Sequence, residues 1–225
     1  MALPTMSLPP LKTVRAGLAQ ATEALAEALA LVRPDSANPT WSTLDWQLAS
    51  AVVAAHGIGP LLDRFSTWQH VSWRRFLGEQ RAHVEARHRR IETLLGRIDA
   101  AARHAGIPVM ALKGAALHTL GLYVPGDRPM ADIDLLVRDA DMERMGALLR
   151  ELGYEGTYAV WKHGVFKPVE ARPVWSLGEH RATPVNIELL SRIHERLPVS
   201  IVDVTDPAIP ARPHPGPNSH PYPGP

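Results

Sequence analysis

The chain contains no cysteine in its 225 residues. That excludes disulfide bridges and thiolate metal sites, and it makes a reducing compartment, the cytoplasm, the expected location. It also has almost no net charge: 24 Lys and Arg stand against 23 Asp and Glu, for a formal +1. No global field therefore recruits an anionic membrane, and nucleic acid is a partner that the charge balance does not indicate. No segment approaches the roughly 18 uninterrupted apolar residues of a spanning helix. The N-terminus lacks a basic region followed by a clean apolar run, because Glu23 and Glu27 interrupt it, so no signal peptide is expected. No internal repeat is visible.

What is present is ordinary in bulk. Apolar residues make up 45% and charged residues 21% of the chain, values typical of a globular protein. The length suffices for one large or two small domains with a proper core.

The first ten residues hold Pro4, Pro9 and Pro10 and read as a loose lead-in. Apolar residues at 11, 14, 18, 25, 29 and 32 then predict an amphipathic helix that Arg33-Pro34 ends. Ser42 followed by Asp45 forms a capping box for a second helix. Gly57 closes it, and Pro60 opens a short third one, PLLDRF. Ser72 reads as the cap of a long helix reaching about Ala105, stopped by Gly106. Its apolar stripe is Val84, His88, Ile91, Leu95, Ile98 and Ala102. The arginines crowding this helix are interleaved with Glu79, Glu85 and Glu92 and read as a solvated face. His88 reads as a packed core histidine.

The pattern changes at Ile107. IPVMAL reads as a buried strand, Lys113-Gly114 as a turn, and AALHTLGLY as a short helix. A second strand, DIDLLV, carries Asp132 and Asp134. Side chains at i and i+2 of a strand share a face, so these carboxylates lie about 7 Å apart along it. Their apolar neighbours Ile133, Leu135, Leu136 and Val137 predict a strand inside a sheet. A carboxylate pair there is costly unless compensated, and a divalent cation is the usual compensation. The plainer alternatives are a structural calcium-like site and exposed strand ends.

Beyond this strand, Asp139 reads as the cap of a helix buried through Met142, Met145, Leu148, Leu149 and Leu152 and stopped by Gly153. Residues 154–161 read as a strand. VFKPVE and ARPVWSL, with Pro168 and Pro173, read as edge strands or a hairpin. VNIELL reads as a third apolar strand. His163, His180 and Glu179 fit no ligand spacing and read as solvent-facing loop residues. The end holds eight prolines in residues 207–225. It predicts a disordered tail in which His214 and His220 are poorly spaced for metal. The expected division is 1–105 helical, 106–206 an α/β core, and 207–225 the tail.

LKGAAL, then Tyr123, then RPMADIDLLV, then a helix ending LRELGY, resembles an uncharacterised bacterial nucleotidyltransferase family of the polymerase-beta-like superfamily, over roughly Leu44 to His194. The resemblance implies an α+β fold: a small mixed sheet with flanking helices, preceded by a helical N-terminal region. It implies transfer of a nucleoside monophosphate, AMP first, from ATP or another NTP to an unknown hydroxyl or phosphate acceptor. Two Mg²⁺ ions about 3.5–4 Å apart can clamp the attacking and leaving oxygens of such a displacement.

Under the resemblance Asp132 and Asp134 supply two metal-binding carboxylates. The third acid comes from IELLSRIH: Glu188 matches the family's acid, Arg192 its arginine and His194 its final histidine. Leu190 and Ser191 stand where the family has His-Trp. Asp203, in SIVDVTD, competes for the third position. Gly114 would let the backbone approach phosphate, with free N–H groups of the following helix beside it. Lys113 would touch the triphosphate as a point charge, the plain alternative being a surface lysine at a turn. Arg128 resembles the family's arginine before the acidic strand, placed to bind phosphate or pair with a carboxylate. Family members are usually longer at the C-terminus, so the tail reads as a truncated or frameshifted end. Two rivals start from the same residues: a decayed transferase core that only binds, and a toxin-like transferase acting on tRNA or protein.

Overall fold

The computed structural model describes residues 8–30, 38–160, 163–172, 174–196 and 201–203. The proline-rich segment 207–225, with His214 and His220, lies outside the described residues, as does Pro173. The fold is α+β, with six α-helices and an open five-stranded mixed sheet among the described residues. The chain divides into two compact units, each with its own core.

The first unit holds the described residues of Met1–Glu85, Gly126–Pro129 and Trp175–Arg181. Its helices are α1 (Leu11–Ala28), α2 (Thr43–His56), α3 (Gly59–Phe65) and the first part of α4 (Val71–His104). Helix α2 starts where the capping box predicts. The Ser42 hydroxyl accepts from the Asp45 N–H, and the Asp45 carboxylate accepts from the Ser42 N–H at 2.9 Å. It ends at Gly57, whose φ of 65° places it in the left-handed region that glycine adopts without strain. Ser72, by contrast, is inside α4, and its hydroxyl faces the His70 ring at 2.9 Å rather than capping the helix.

The apolar faces of these helices meet around Leu25, Trp46, Val53, Leu62, Trp68, Trp73 and Leu77. Trp46 packs edge-on against Trp41 and Trp68 and stacks on His70, geometries that aromatic quadrupoles favour. Gln80 of α4 is buried and clasps the segment 175–181. Its amide nitrogen donates to the Leu177 carbonyl at 3.1 Å, and its amide oxygen accepts from the Glu179 N–H at 2.7 Å. His180 of that segment is half-buried, with its ring against His83. Neither Glu179 nor His180 is the loose loop residue that spacing alone predicts.

The second unit holds the described residues of Ala86–Pro125, Met130–Val174 and Ala182–Pro225. Its strands are β1 (Met110–Leu112), β2 (Asp132–Leu136), β3 (Tyr154–Val160), β4 (His163–Pro168) and β5 (Asn186–Leu190). They lie in the order β1-β2-β5-β4-β3. Only β2 and β5 run parallel; the other pairs are antiparallel. A separate ribbon pairs β6 (His194–Arg196) with β7 (Ile201–Asp203).

One face of the sheet carries Ile133, Leu135, Phe166, Ile187 and Leu189. It packs on Ile91, Leu94, Ile98 and Ala102 of α4 and on Met145, Leu148 and Leu149 of α6 (Met142–Glu151). These positions alternate along each strand and recur every three or four residues along each helix, as a two-layer core requires. Three expectations fail. The strand β4 is internal, paired on both sides, and its Pro168 is tolerated because it is the last strand residue. The described residues of ARPVWSL form no strand. Asp139 opens a single 3-10 turn, and no side chain caps α6.

Candidate active site

The face of the sheet opposite the core gathers the acids. In β2, Asp132 and Asp134 alternate with the buried Ile133 and Leu135, so both carboxylates leave the core side together. In the parallel β2–β5 ladder Asp132 is opposite Asn186 and Asp134 is opposite Glu188. Directly opposed residues of paired strands point to the same face. Glu188 therefore joins the two aspartates because of pairing register, across more than fifty residues of chain. Asp203 is on β7 of the separate ribbon, opposite His194, and β7 does not pair with β2.

Asp134 is 3% exposed, yet it is not an uncompensated charge. The Lys113 ammonium donates to its Oδ1 at 2.6 Å. Lys113 is the first residue of α5 (Lys113–Thr119) and has φ 47°, the left-handed region that a non-glycine residue enters at a cost of about 1–3 kcal/mol. The turn thus places its strain at Lys113, while Gly114 is inside the helix. The hydrogen bond to Asp134 is the largest cause holding the Lys113 ammonium above its ordinary pKa; burial acts against it, and the charges of Asp134, Glu188 and Asp132 add to the rise. All three acids are therefore electrostatic neighbours of one ammonium.

His163 is on the same face. In the antiparallel β4–β5 ladder Val165 is opposite Glu188 and His163 is opposite Leu190. The His163 Nε2 is 3.5 Å from Glu188 Oε2. Sequence spacing misses this neighbour because it depends on a ladder between strands joined by a long loop. Leu190 stands where the resemblance carries a histidine, and the residue opposite it is His163.

Arg192 pairs with Asp139 at 3.4 Å. Arg128 belongs to the first unit, in the segment 126–129 that Asp127 anchors through Arg64 and Arg81, each at 2.9 Å. A pocket of about 350 Å³ lined by Arg89, Arg90, Arg97, Tyr154 and Val185 is on the helix-packed side of the sheet, away from the carboxylates.

Among the described residues no three side chains of ligating type close into a metal cluster. The donor set nevertheless fits a hard cation. It consists of carboxylate oxygens from adjacent strands on one face, and an ammonium already sits against the most buried of them.

A family model described as an uncharacterised nucleotidyltransferase matches residues 42–218. No curated protein and no solved structure matches the chain.

Proposed function

The chain belongs to the uncharacterised nucleotidyltransferase family, and on that premise we propose that it moves AMP from ATP to a hydroxyl or phosphate of an acceptor in a Mg²⁺-dependent reaction. The observation that carries this reading is the β2–β5 register, in which Glu188 is the residue opposite Asp134.

In this reading Asp132, Asp134 and Glu188 hold the metal. Bound Mg²⁺ supplies Lewis-acid charge against the negative charge that builds on the phosphoryl oxygens. The acceptor oxygen forms a bond to the α-phosphorus, the bond from that phosphorus to the bridging oxygen breaks, and pyrophosphate leaves. The acceptor's proton goes to Glu188, the acid with more room: its side chain is 29% exposed against 5% for Asp134. Lys113 has a 68% exposed side chain and is free to swing its ammonium from Asp134 to the triphosphate.

The test is incubation of cell extract with α-labelled ATP and Mg²⁺, comparing the wild type with Asp134→Ala. A labelled product made by the wild type and lost in a variant with unchanged circular dichroism supports the reading and reveals the acceptor class. No transfer from any of the common NTPs overturns it.

A further inference from the structure

We propose that His163 is a positioning residue for Glu188, donating its Nε2–H to one carboxylate oxygen so that the other faces the acceptor. The proposal rests on the nucleotidyl-transfer reading and extends it to a residue outside the three acids.

Glu188 sits between two strands with different offerings. On the β2 side is Asp134, a like charge directly opposite it. On the β4 side are Val165, directly opposite, and His163, the diagonal neighbour on the same face. Diagonal neighbours are within reach of long side chains. The approach is 3.5 Å from His163 Nε2 to Glu188 Oε2, slightly long for a hydrogen bond. The Nε2 atom is buried and has no hydrogen-bond partner. A buried polar nitrogen left so is uncommon and calls for a reason, and the Glu188 carboxylate is the anion beside it.

Among the described residues of β2, β4 and β5, the other charged groups have neighbours of their own. Asp134 is taken by Lys113. Asp132 is beyond Asp134 along β2, next to Asn186 in the ladder. Lys167, four residues along β4, is opposite Glu155 of β3. Across the face the order is therefore Lys113, Asp134, Glu188, His163: two carboxylates in the middle, each with a donor on its outer side. Lys113 fixes the first. Without His163 the second has three free torsions and a like charge beside it, and an acceptor group held loosely loses its near-attack geometry.

His163→Ala is expected to lower kcat by about 10–100-fold, the usual cost of losing an orienting partner. The KM for NTP stays within about threefold, because NTP binding does not use the histidine. His163→Gln places a donor amide at a similar reach and restores most of the kcat. A readout independent of activity is the imidazole ¹⁵N spectrum of the protein without NTP or metal, in which the His163 resonances shift on Glu188→Gln. Wild-type kcat in His163→Ala overturns the proposal. So does equal impairment of the Ala and Gln variants, or a His163 signal indifferent to Glu188→Gln. No transfer by the wild type itself overturns the parent reading and this role with it, an outcome distinct from transfer that ignores His163.

Discussion

Lys113 and Asp134 are 21 residues apart in the chain and 2.6 Å apart in the fold, one at a left-handed turn and the other at the centre of a buried strand. The pair joins the turn after β1 to the acidic face. It also leaves the rest of the Lys113 side chain largely exposed beside that face.

Lys113→Met separates the two roles. The ammonium is exposed, but its loss leaves the buried Asp134 carboxylate without its partner, so stability should fall by about 1–3 kcal/mol. The KM for NTP should rise roughly 10-fold or more, as loss of a charged hydrogen bond implies. Because the folded pKa of Lys113 is raised above the ordinary 10.5, its stabilising contribution is complete below that value. It disappears as the pH rises through the folded value. Urea melts of the wild type and the variant should therefore differ at neutral pH and converge in strong alkali.

Asp134→Asn and Glu188→Gln keep shape and remove charge. Each should reduce label transfer roughly 100-fold or more, the scale of losing a group aimed at transition-state charge. Each should also leave stability within about 1 kcal/mol, since relief of the mutual repulsion offsets lost pairing. A variant that keeps full transfer and a normal melt would remove its residue from the site.

Gln80→Leu tests the first unit alone. The change strips the Leu177 carbonyl and the Glu179 N–H of their side-chain partner. Leaving such groups unsatisfied costs about 1–3 kcal/mol. Denaturant unfolding should show the loss, and the Glu179 amide should lose its protection from hydrogen exchange.

His118 gives the second unit an acid sensitivity. Its ring lies 3.7 Å from that of His88, centre to centre, and its Nε2 is buried without a partner. Burial is the main cause that lowers its pKa below 6.5. The charge of His88 adds to this, while Glu92 and a backbone hydrogen bond at His88 oppose it. A lowered folded value means that the unfolded chain takes up a proton that the native state refuses. Stability from this group is complete above pH 6.5 and falls as the pH drops toward the folded value. One proton contributes at most about 1.4 kcal/mol per pH unit. His118→Phe keeps a ring at the contact and should flatten the loss of stability between neutral and mildly acidic pH, as followed by thermal melts.

Much of this protein is readable along the chain. The Ser42–Asp45 box, the Gly57, Gly106 and Gly153 stops, and the alternation of DIDLLV each depend on residues within a few positions of one another. Local dihedral preferences and apolar period therefore encode them. The resemblance over LKG and DIDLLV adds the family. Ser72 and Asp139 mislead alike: each is a good cap by type, but α4 starts at Val71 and a 3-10 turn precedes α6.

Local pattern along the chain suffices for the helical first part, the acidic strand and the two aspartates on one side of it, because strand geometry alone sends i and i+2 the same way. What stands beside them comes from long-range pairing: Glu188 opposite Asp134, His163 reaching toward Glu188, Lys113 upon Asp134, and β4 within the sheet rather than at its edge. Register between distant strands is set by which faces bury together, a sum over the whole core that no short stretch of residues contains.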